Sequence, residues 1–189
     1  MSLLSLRKIK SFRACIWDYY YAFGRTFAWR NTDNPYHIVI SEIMLQQTQT
    51  FRVEPKFEQF VAQFPNFETL AAASLRDILL VWQGLGYNRR AKMLQQIAQR
   101  IVDEFNGTLP ADPEILVGLP GIGKATASSI CAFAFNMPTI FIETNIRTVF
   151  ISVPRIPQAF KPGDEWVPLL GASKPEQGFC GAPYALLSW

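Results

Sequence analysis

The chain has 189 residues, of which 49% are apolar, 14% are aromatic and only 17% are charged. This composition is sufficient for a hydrophobic core, so we expect a folded protein. The net charge of +3 is too small to require a nucleic-acid partner unless the basic residues are clustered.

The three cysteines, Cys15, Cys131 and Cys180, lie far apart and form no C-x-x-C pair. The sequence therefore encodes neither a disulfide framework nor a four-cysteine iron–sulfur cluster, and we expect no required cofactor. No apolar run is long enough to span a membrane, and the first ten residues lack the apolar segment of a signal peptide. We expect a soluble cytoplasmic monomer with no membrane partner.

Apolar residues recur at helical spacing along most of the chain, which predicts an all-α fold of about eight helices. We expect an amphipathic helix over residues 11–27 and a second helix over residues 36–51, begun by the cap Asn34-Pro35. Capping and breaking residues then place further helices after Pro55, Asn66, Ser74 and Asp112-Pro113, a long one over residues 87–105, and a last one over residues 123–135.

The helix over residues 36–51 is apolar on most of its circumference but contains Glu42, Gln46 and Gln49. Their spacings of four and three predict one polar stripe on an otherwise apolar helix. An isolated glutamate is usually an ordinary surface residue. A carboxylate among so many apolar neighbours needs a specific reason.

The long helix over residues 87–105 has a basic side, with Arg89, Arg90, Lys92 and Arg100 predicted to face outward. Such a face is either solvated or follows a line of phosphates, and the local pattern does not distinguish these alternatives. Tyr87 precedes this face and is either a core aromatic or an exposed contact residue.

A glycine turn, Leu119-Pro120-Gly121-Ile122-Gly123-Lys124, precedes the last helix. Two glycines one residue apart at a helix start expose backbone N–H groups at the positive helix end, where a phosphate binds favourably. The same pattern also serves simply to make a tight bend. Beyond residue 151 the chain changes character, because six of its thirteen prolines lie in residues 151–189, and this spacing excludes long helices.

Five motifs occur in one order along residues 27–151: Trp29-Arg30, Ser41-Glu42-Ile43-Met44-Leu45-Gln46-Gln47-Thr48-Gln49, Trp82-Gln83-Gly84-Leu85-Gly86-Tyr87, Leu119-Pro120-Gly121-Ile122-Gly123 and Glu143-Thr144-Asn145-Ile146-Arg147. Together they resemble the A/G-specific adenine DNA glycosylases of the helix-hairpin-helix, endonuclease-III-like superfamily. The resemblance implies a two-lobed fold with a central cleft, and a base-excision repair enzyme that acts on mismatched double-stranded DNA.

The resemblance also implies the chemistry. Such an enzyme extrudes adenine mispaired with oxidised guanine, or with guanine, and hydrolyses its glycosidic bond. Adenine leaves readily only when a ring nitrogen is protonated, so a sheltered carboxylic acid suits the reaction. Glu42 matches the general acid, and Glu143 stands where the family normally has an aspartate that stabilises the cationic sugar.

Relatives that also cleave the DNA backbone carry a lysine where this chain has Ala125, so the resemblance implies a monofunctional glycosylase. It places Tyr87 as a wedge in the base stack and implies a monovalent cation held by the carbonyls of Val117, Leu119 and Ile122. The expected DNA contacts are Arg30, Gln46, Gln47, Thr48, Gln49, Tyr87, Gly121, Gly123, Lys124 and Asn145.

We predict a central lobe over residues 34–135, with the hairpin at about 107–131, and a smaller lobe formed by residues 1–33 and 138–189. The proline-rich end replaces the helical segment, the iron–sulfur loop and the further domain common in the family, so we expect truncation or a shifted reading frame near Ile151. Two other functions remain open: a glycosylase for another mismatched base, such as thymine opposite guanine, and a catalytically impaired DNA-binding relative.

Overall fold

The computed structural model describes residues 11, 14, 17–19, 21–30 and 32–139. Within these residues the secondary structure is helical and contains no strand, which confirms the predicted all-α class. The helices are a 3₁₀ turn at Ala28–Arg30, then α1 (Pro35–Leu45), α2 (Thr50–Gln63), α3 (Phe67–Ala72), α4 (Leu75–Trp82), α5 (Arg89–Phe105), α6 (Pro113–Val117) and α7 (Lys124–Phe135).

The chain divides into two compact units, Thr26–Phe135 and a second unit of Met1–Arg25 with Asn136–Trp189. In the second unit residues 17–19 and 21–23 are helical, within the predicted first helix. Gly24 and Arg25, and Thr26 and Phe27 of the larger unit, are not helical. Residues 140–189 lie outside the described residues, and the predicted pair of lobes around a cleft stays a prediction.

Polar caps begin several helices where the sequence predicts a start. The side chain of Asn34 accepts the backbone N–H of Tyr36 at the start of α1. Asn66 and Thr69 cap each other at α3, and Asp112 accepts the N–H of Glu114 at α6. Each cap satisfies an N–H group that has no partner within its helix, typically worth about 1 kcal/mol.

The core of the larger unit forms around α1, which packs against α7, α2, α5 and the 3₁₀ turn. Each large apolar side chain buried in this way contributes about 1.5–3 kcal/mol. The most deeply buried side chains of α1, α5 and α7 are Val39, Ile40, Ile43, Met44, Ala91, Leu94, Ile97, Ala98, Ile101, Ala127, Ile130 and Cys131.

The end of α1 differs from the prediction. The helix stops at Leu45 instead of continuing to residue 51, and α2 begins at Thr50 with Gln49 as its N-terminal cap residue. Between them the backbone of Gln47 is left-handed, with φ of 56°. Because this break reorients the chain, Glu42, Gln46 and Gln49 do not form the predicted stripe on one helix.

The start of α2 was also predicted wrongly, because Pro55 lies inside the helix and does not begin it. Proline lacks the N–H that would bond to the carbonyl four residues earlier, at Phe51, so it weakens the ladder at one position. The helix nevertheless continues through Pro55, because Val53, Phe57 and Phe60 are buried along one face of α2.

Candidate functional site

Glu42 lies on α1 and faces α7. It is half-buried, and its Oε2 accepts a hydrogen bond of 2.5 Å from the hydroxyl of Ser129, a buried residue of α7. Because α7 is the helix that follows the glycine turn, this bond connects the candidate acid to the candidate phosphate site through one rigid element. Glu42 is thus partly sheltered from solvent, as its expected chemistry requires.

Ser129 is a residue that the sequence analysis missed. Its small side chain sits in α7 among Ala125, Ala127 and Ala132, and small residues allow helices to approach closely. A serine on the buried face of such a helix needs a hydrogen-bond partner. That requirement is the only sequence signal that pointed to it, and the sequence could not identify Glu42 as the partner.

The loop between α1 and α2, residues 46–49, reaches the glycine turn. The side-chain amide of Gln46 donates to the carbonyl of Gly121 at 3.3 Å. Gln47 is exposed beside it. Thr48 instead lies half-buried, and its hydroxyl accepts a 2.8 Å hydrogen bond from Arg90. The side chain of Gln47 is therefore exposed, whereas the hydrogen bonds of Gln46 and Thr48 stabilise the conformation of the loop.

Arg90 was predicted to face outward, and this was wrong. Its side chain is buried, and its guanidinium donates to the carbonyls of Ile43, Met44 and Gln46 at the end of α1. Carbonyl groups at a helix C-terminus have no partner within the helix and carry partial negative charge, so they attract this cation inward. Burial lowers the pKa of Arg90 from its usual value.

Tyr87 stands exposed in the loop of residues 83–88, two of whose carbonyls accept side-chain hydrogen bonds. The indole of Trp82 donates to the carbonyl of Gly86 at 2.9 Å, and Arg52 donates to that of Gly84 at 2.8 Å. The ring of Tyr87 also lies 5.3 Å from the Arg90 guanidinium. Tyr87 is 64% exposed, with left-handed backbone (φ 48°), and α5 begins after it, at Arg89, two residues later than predicted.

The glycine turn joins α6 to α7 as a hairpin. Gly121 has φ of 73°, and a β-carbon at this position would lie 1.6 Å from the end of Met93. Gly123 has open space around it instead. Arg100 donates to the carbonyl of Gly118 at 2.6 Å and anchors the start of the turn to α5. The hairpin is therefore packed on one side at Gly121 and open at Gly123, where α7 begins.

An open groove of about 930 Å³ lies among the loop of residues 46–49, Tyr87, α5 and the glycine turn, and Glu42 is not among its lining residues. It brings together four of the predicted DNA contacts and adds side chains of α5 that the sequence left undecided. Its lining residues are Gln46, Gln47, Tyr87, Arg89, Arg90, Lys92, Met93, Gln96, Pro120, Gly121 and Thr126.

The other predicted contacts lie elsewhere. Gly123 and Lys124 are exposed at the start of α7, and Gln49 is exposed at the start of α2. Arg30 is half-buried, with its guanidinium 5.9 Å from the centre of the Phe27 ring. The second predicted carboxylate, Glu143, and the predicted contact Asn145 are outside the described residues.

The predicted cation site consists of backbone carbonyls in the hairpin. Carbonyl oxygens are suitable ligands for a hard monovalent cation, and Val117, Leu119 and Ile122 lie within one short turn. The carbonyl of Leu119 also accepts the N–H of Ile122 at 3.2 Å, which leaves its second lone pair for a ligand. The residues fit the group, and the site stays a prediction.

Two other properties concern the described residues as a whole. No group of three or more His, Cys, Asp or Glu side chains in them is arranged to hold a metal ion. None of their helices combines the length and the apolar character that crossing a bilayer requires.

Comparison with known sequences places these features in context. The chain is 43% identical over 141 residues to the adenine DNA glycosylase of Buchnera aphidicola subsp. Baizongia pistaciae, which covers 74% of the chain and 40% of the relative. It is 40% identical over 126 residues to the adenine DNA glycosylase of Mycobacterium tuberculosis, with 66% and 41% covered. The chain thus spans about two fifths of the length of the relatives it matches.

Solved structures support the fold. A thermostable thymine-DNA glycosylase superposes with a TM-score of 0.71 at 27% identity, covering 76% of the chain and 67% of that protein. Endonuclease III in a non-covalent DNA complex superposes with a TM-score of 0.65 at 23% identity, covering 78% and 68%. Residues 40–163 match the HhH-GPD superfamily base excision DNA repair profile, and the chain therefore belongs to the HhH-GPD superfamily of base excision DNA repair proteins.

Proposed function

We propose that this chain carries the adenine-releasing part of a base-excision repair enzyme, which hydrolyses the N-glycosidic bond of adenine mispaired with oxidised guanine or guanine. The observation that carries the proposal is the half-buried carboxyl of Glu42, held by Ser129 on the helix that follows the glycine turn. The adenine DNA glycosylases at 43% and 40% identity support adenine as the substrate base.

The reaction begins with extrusion of the adenine, since the glycosidic bond is inaccessible inside the base stack. Glu42, as a carboxylic acid, gives its proton to a ring nitrogen of adenine. The bond between the sugar carbon and the base then breaks, and its electron pair leaves with the neutral purine. Water adds to the cationic sugar carbon and loses a proton, which completes the hydrolysis. The Ser129 hydrogen bond fixes the orientation of the carboxyl for this transfer.

A second carboxylate stabilises the cationic sugar in this scheme, by the logic of glycoside hydrolysis. Glu143 is our candidate. It is one methylene longer than the aspartate usual in the family. A displacement of about one ångström can reduce a rate by about 10²-fold. We therefore expect a slower enzyme than one with aspartate at position 143.

DNA binding is assigned to the groove. Tyr87 is exposed and is suited to insert between base pairs, and Gln47 is also exposed in the groove to contact the opened pair. Gly121, which lines the groove, and the exposed backbone at Gly123, outside that lining, bind phosphate at the start of α7. Arg89 and Lys92, three residues apart on α5 and both exposed, also line the groove.

The residues of the hairpin support hydrolysis without strand cleavage. Ala125 carries no nucleophile, and the neighbouring Lys124 projects about 100° around the helix from that position. Lys124 is therefore assigned to phosphate, and we expect an intact abasic strand as the product.

Chromatographic detection of free bases tests the proposal. Duplexes with adenine opposite oxidised guanine, adenine opposite guanine and thymine opposite guanine are incubated with the chain, and Glu42→Gln serves as the inactive control. Free adenine from the first two duplexes, without a nicked strand, is expected. Free thymine instead would favour the function named for the thymine-DNA glycosylase that superposes on this chain. Salt-dependent duplex binding without any free base would identify a catalytically impaired relative.

A further inference from the structure

The side chain of Arg90 connects two loops that are far apart in sequence. One is residues 46–49, between α1 and α2, and the other is residues 83–88, between α4 and α5. We propose that Arg90 is a positioning residue, which sets the backbone of both loops and thereby the placement of Gln47 and Tyr87 in the groove. The role of the groove in DNA binding rests on the proposed function, whereas the role of Arg90 in setting the two loops rests on its own contacts.

The contacts of Arg90 reach both loops at once. Its Nη1 donates to the carbonyls of Ile43 at 3.1 Å and Met44 at 2.9 Å, and also to that of Gln46. Its Nη2 donates to the Thr48 hydroxyl at 2.8 Å. The same Nη2 lies 3.4 Å from the carbonyls of Leu85 and Gly86 in the second loop. One planar group thus joins the end of α1, the loop after it and the loop before α5.

A guanidinium suits these contacts better than an ammonium. Its two Nη atoms carry four N–H donors in one rigid plane and reach acceptors in different directions, whereas a lysine ammonium has three donors on one atom. The guanidinium is also flanked by the rings of Trp82 and Tyr87, at 5.6 and 5.3 Å. These aromatic faces stabilise the cation further.

The backbone shows what this arrangement maintains. In the described part of the chain, four residues other than glycine have positive φ: Gln47, Tyr87, Asn106 and Asn136. Asparagine tolerates the left-handed region well, but glutamine and tyrosine do so rarely. Each of the two unusual residues directly follows a residue whose carbonyl Arg90 contacts, namely Gln46 and Gly86.

Such strained backbone persists only where the surroundings hold it, and it concentrates at functional positions. Gln47 and Tyr87 are both exposed and both line the groove. Arg90 touches neither a base nor the reacting atoms in this proposal. It holds the backbone of Gln47 and Tyr87 in the left-handed conformation, which these residue types rarely adopt, and so sets the orientation of both exposed side chains.

The test compares Arg90→Lys and Thr48→Val with the parent chain. Arg90→Lys keeps the charge and removes the planar set of donors, whereas Thr48→Val removes one acceptor and leaves the buried cation in place. Arg76→Lys is the matched control, because Arg76 is exposed on α4 and lies outside the groove. Amide hydrogen exchange is followed in peptides that cover both loops and in α7, together with single-turnover base release below the melting temperature.

We expect Arg90→Lys to accelerate exchange in both loops by roughly tenfold or more while α7 stays protected. Base release should fall by about 10²-fold, as for a displaced contact group. Thr48→Val should change both readouts in the same direction by less, and Arg76→Lys should change neither. Equal acceleration in the loops and α7 would show a merely structural role and overturn the proposal, as would loop exchange and base release within about twofold of the parent.

The hydrogen-exchange readout does not depend on catalysis. If the parent chain releases no base, the proposed function fails. Loop-specific exchange in Arg90→Lys then still decides whether Arg90 sets the shape of the two loops.

Discussion

The candidate acid and the candidate contact residues are built in different ways. Glu42 projects from the last turn of a regular helix that is packed against α7, and a hydrogen bond from Ser129 orients it. Gln47 and Tyr87 project from irregular, left-handed backbone that a distant arginine holds. The difference indicates that chemistry and DNA engagement depend on separate structural supports, so they should be separable by mutation.

The largest expected effect is on the helix-borne group. Glu42→Gln keeps the shape of the side chain but removes the transferable proton, so base release should fall by about 10²–10⁴-fold. Duplex affinity should remain within about twofold, because the groove is unchanged. Single-turnover adenine release and fluorescence anisotropy measure the two quantities. Glu58→Gln, an exposed glutamate on α2, is the control, and an active Glu42→Gln protein would refute the acid assignment.

Substitution of Tyr87, which projects from a loop, should instead weaken DNA binding. Tyr87→Asn removes the ring while retaining a residue that tolerates positive φ, so the loop keeps its conformation. Loss of a stacking contact worth about 1–3 kcal/mol should weaken binding of a mismatched duplex by about 5- to 150-fold. Anisotropy titrations measure this effect. Phe51→Ala is the control, because Phe51 is 69% exposed but does not line the groove, and equal losses in both variants would contradict the assignment.

Features that depend on neighbouring residues were predicted from the sequence, whereas features that depend on distant contacts were not. Several helix starts follow local rules, and the caps at Asn34 and Asp112 were predicted from neighbouring residues. Glu42 was identified by its motif, and its placement in an apolar helix followed from periodicity. The helical fold and the family are confirmed. These features depend on residues only a few positions apart.

The failures involve long-range contacts. Where α1 ends at Leu45, the guanidinium of Arg90 donates to carbonyls at the end of the helix and just after it. One of these is the carbonyl of Gln46, which lies 44 residues before Arg90. Periodicity placed Arg90 outside because arginine usually faces solvent. Ser129 and Glu42 are 87 residues apart. No local pattern distinguishes a buried guanidinium or hydroxyl with such partners from an exposed one.

Substitutions at the two glycines of the hairpin, Gly121 and Gly123, test whether packed and open backbone positions respond differently. Gly121→Ala requires a non-glycine residue at φ of 73° and displaces the end of Met93, so it should destabilise the fold by about 1–2 kcal/mol. Gly123→Ala meets no atom within 4 Å and should leave stability within about 0.5 kcal/mol. Urea unfolding measures both. Any weaker DNA binding by Gly123→Ala would then arise at the phosphate and not from unfolding, whereas equal destabilisation would contradict the packing at Gly121.

The smallest expected effect contrasts two adjacent arginines. Arg89 is exposed in the groove and Arg90 is buried beneath the loops, so Arg89, together with the exposed Lys92, should contribute to phosphate binding and Arg90 should not. Replacing both by Gln should reduce the slope of log affinity against log salt by about 0.9 for each lost phosphate contact. Anisotropy titrations at several salt concentrations measure the slope, with Arg76→Gln as control. An unchanged slope would show that Arg89 and Lys92 belong to an ordinary solvated face. Arg90→Lys, in contrast, should change hydrogen exchange in the loops and leave the slope nearly unaltered, because it retains the charge.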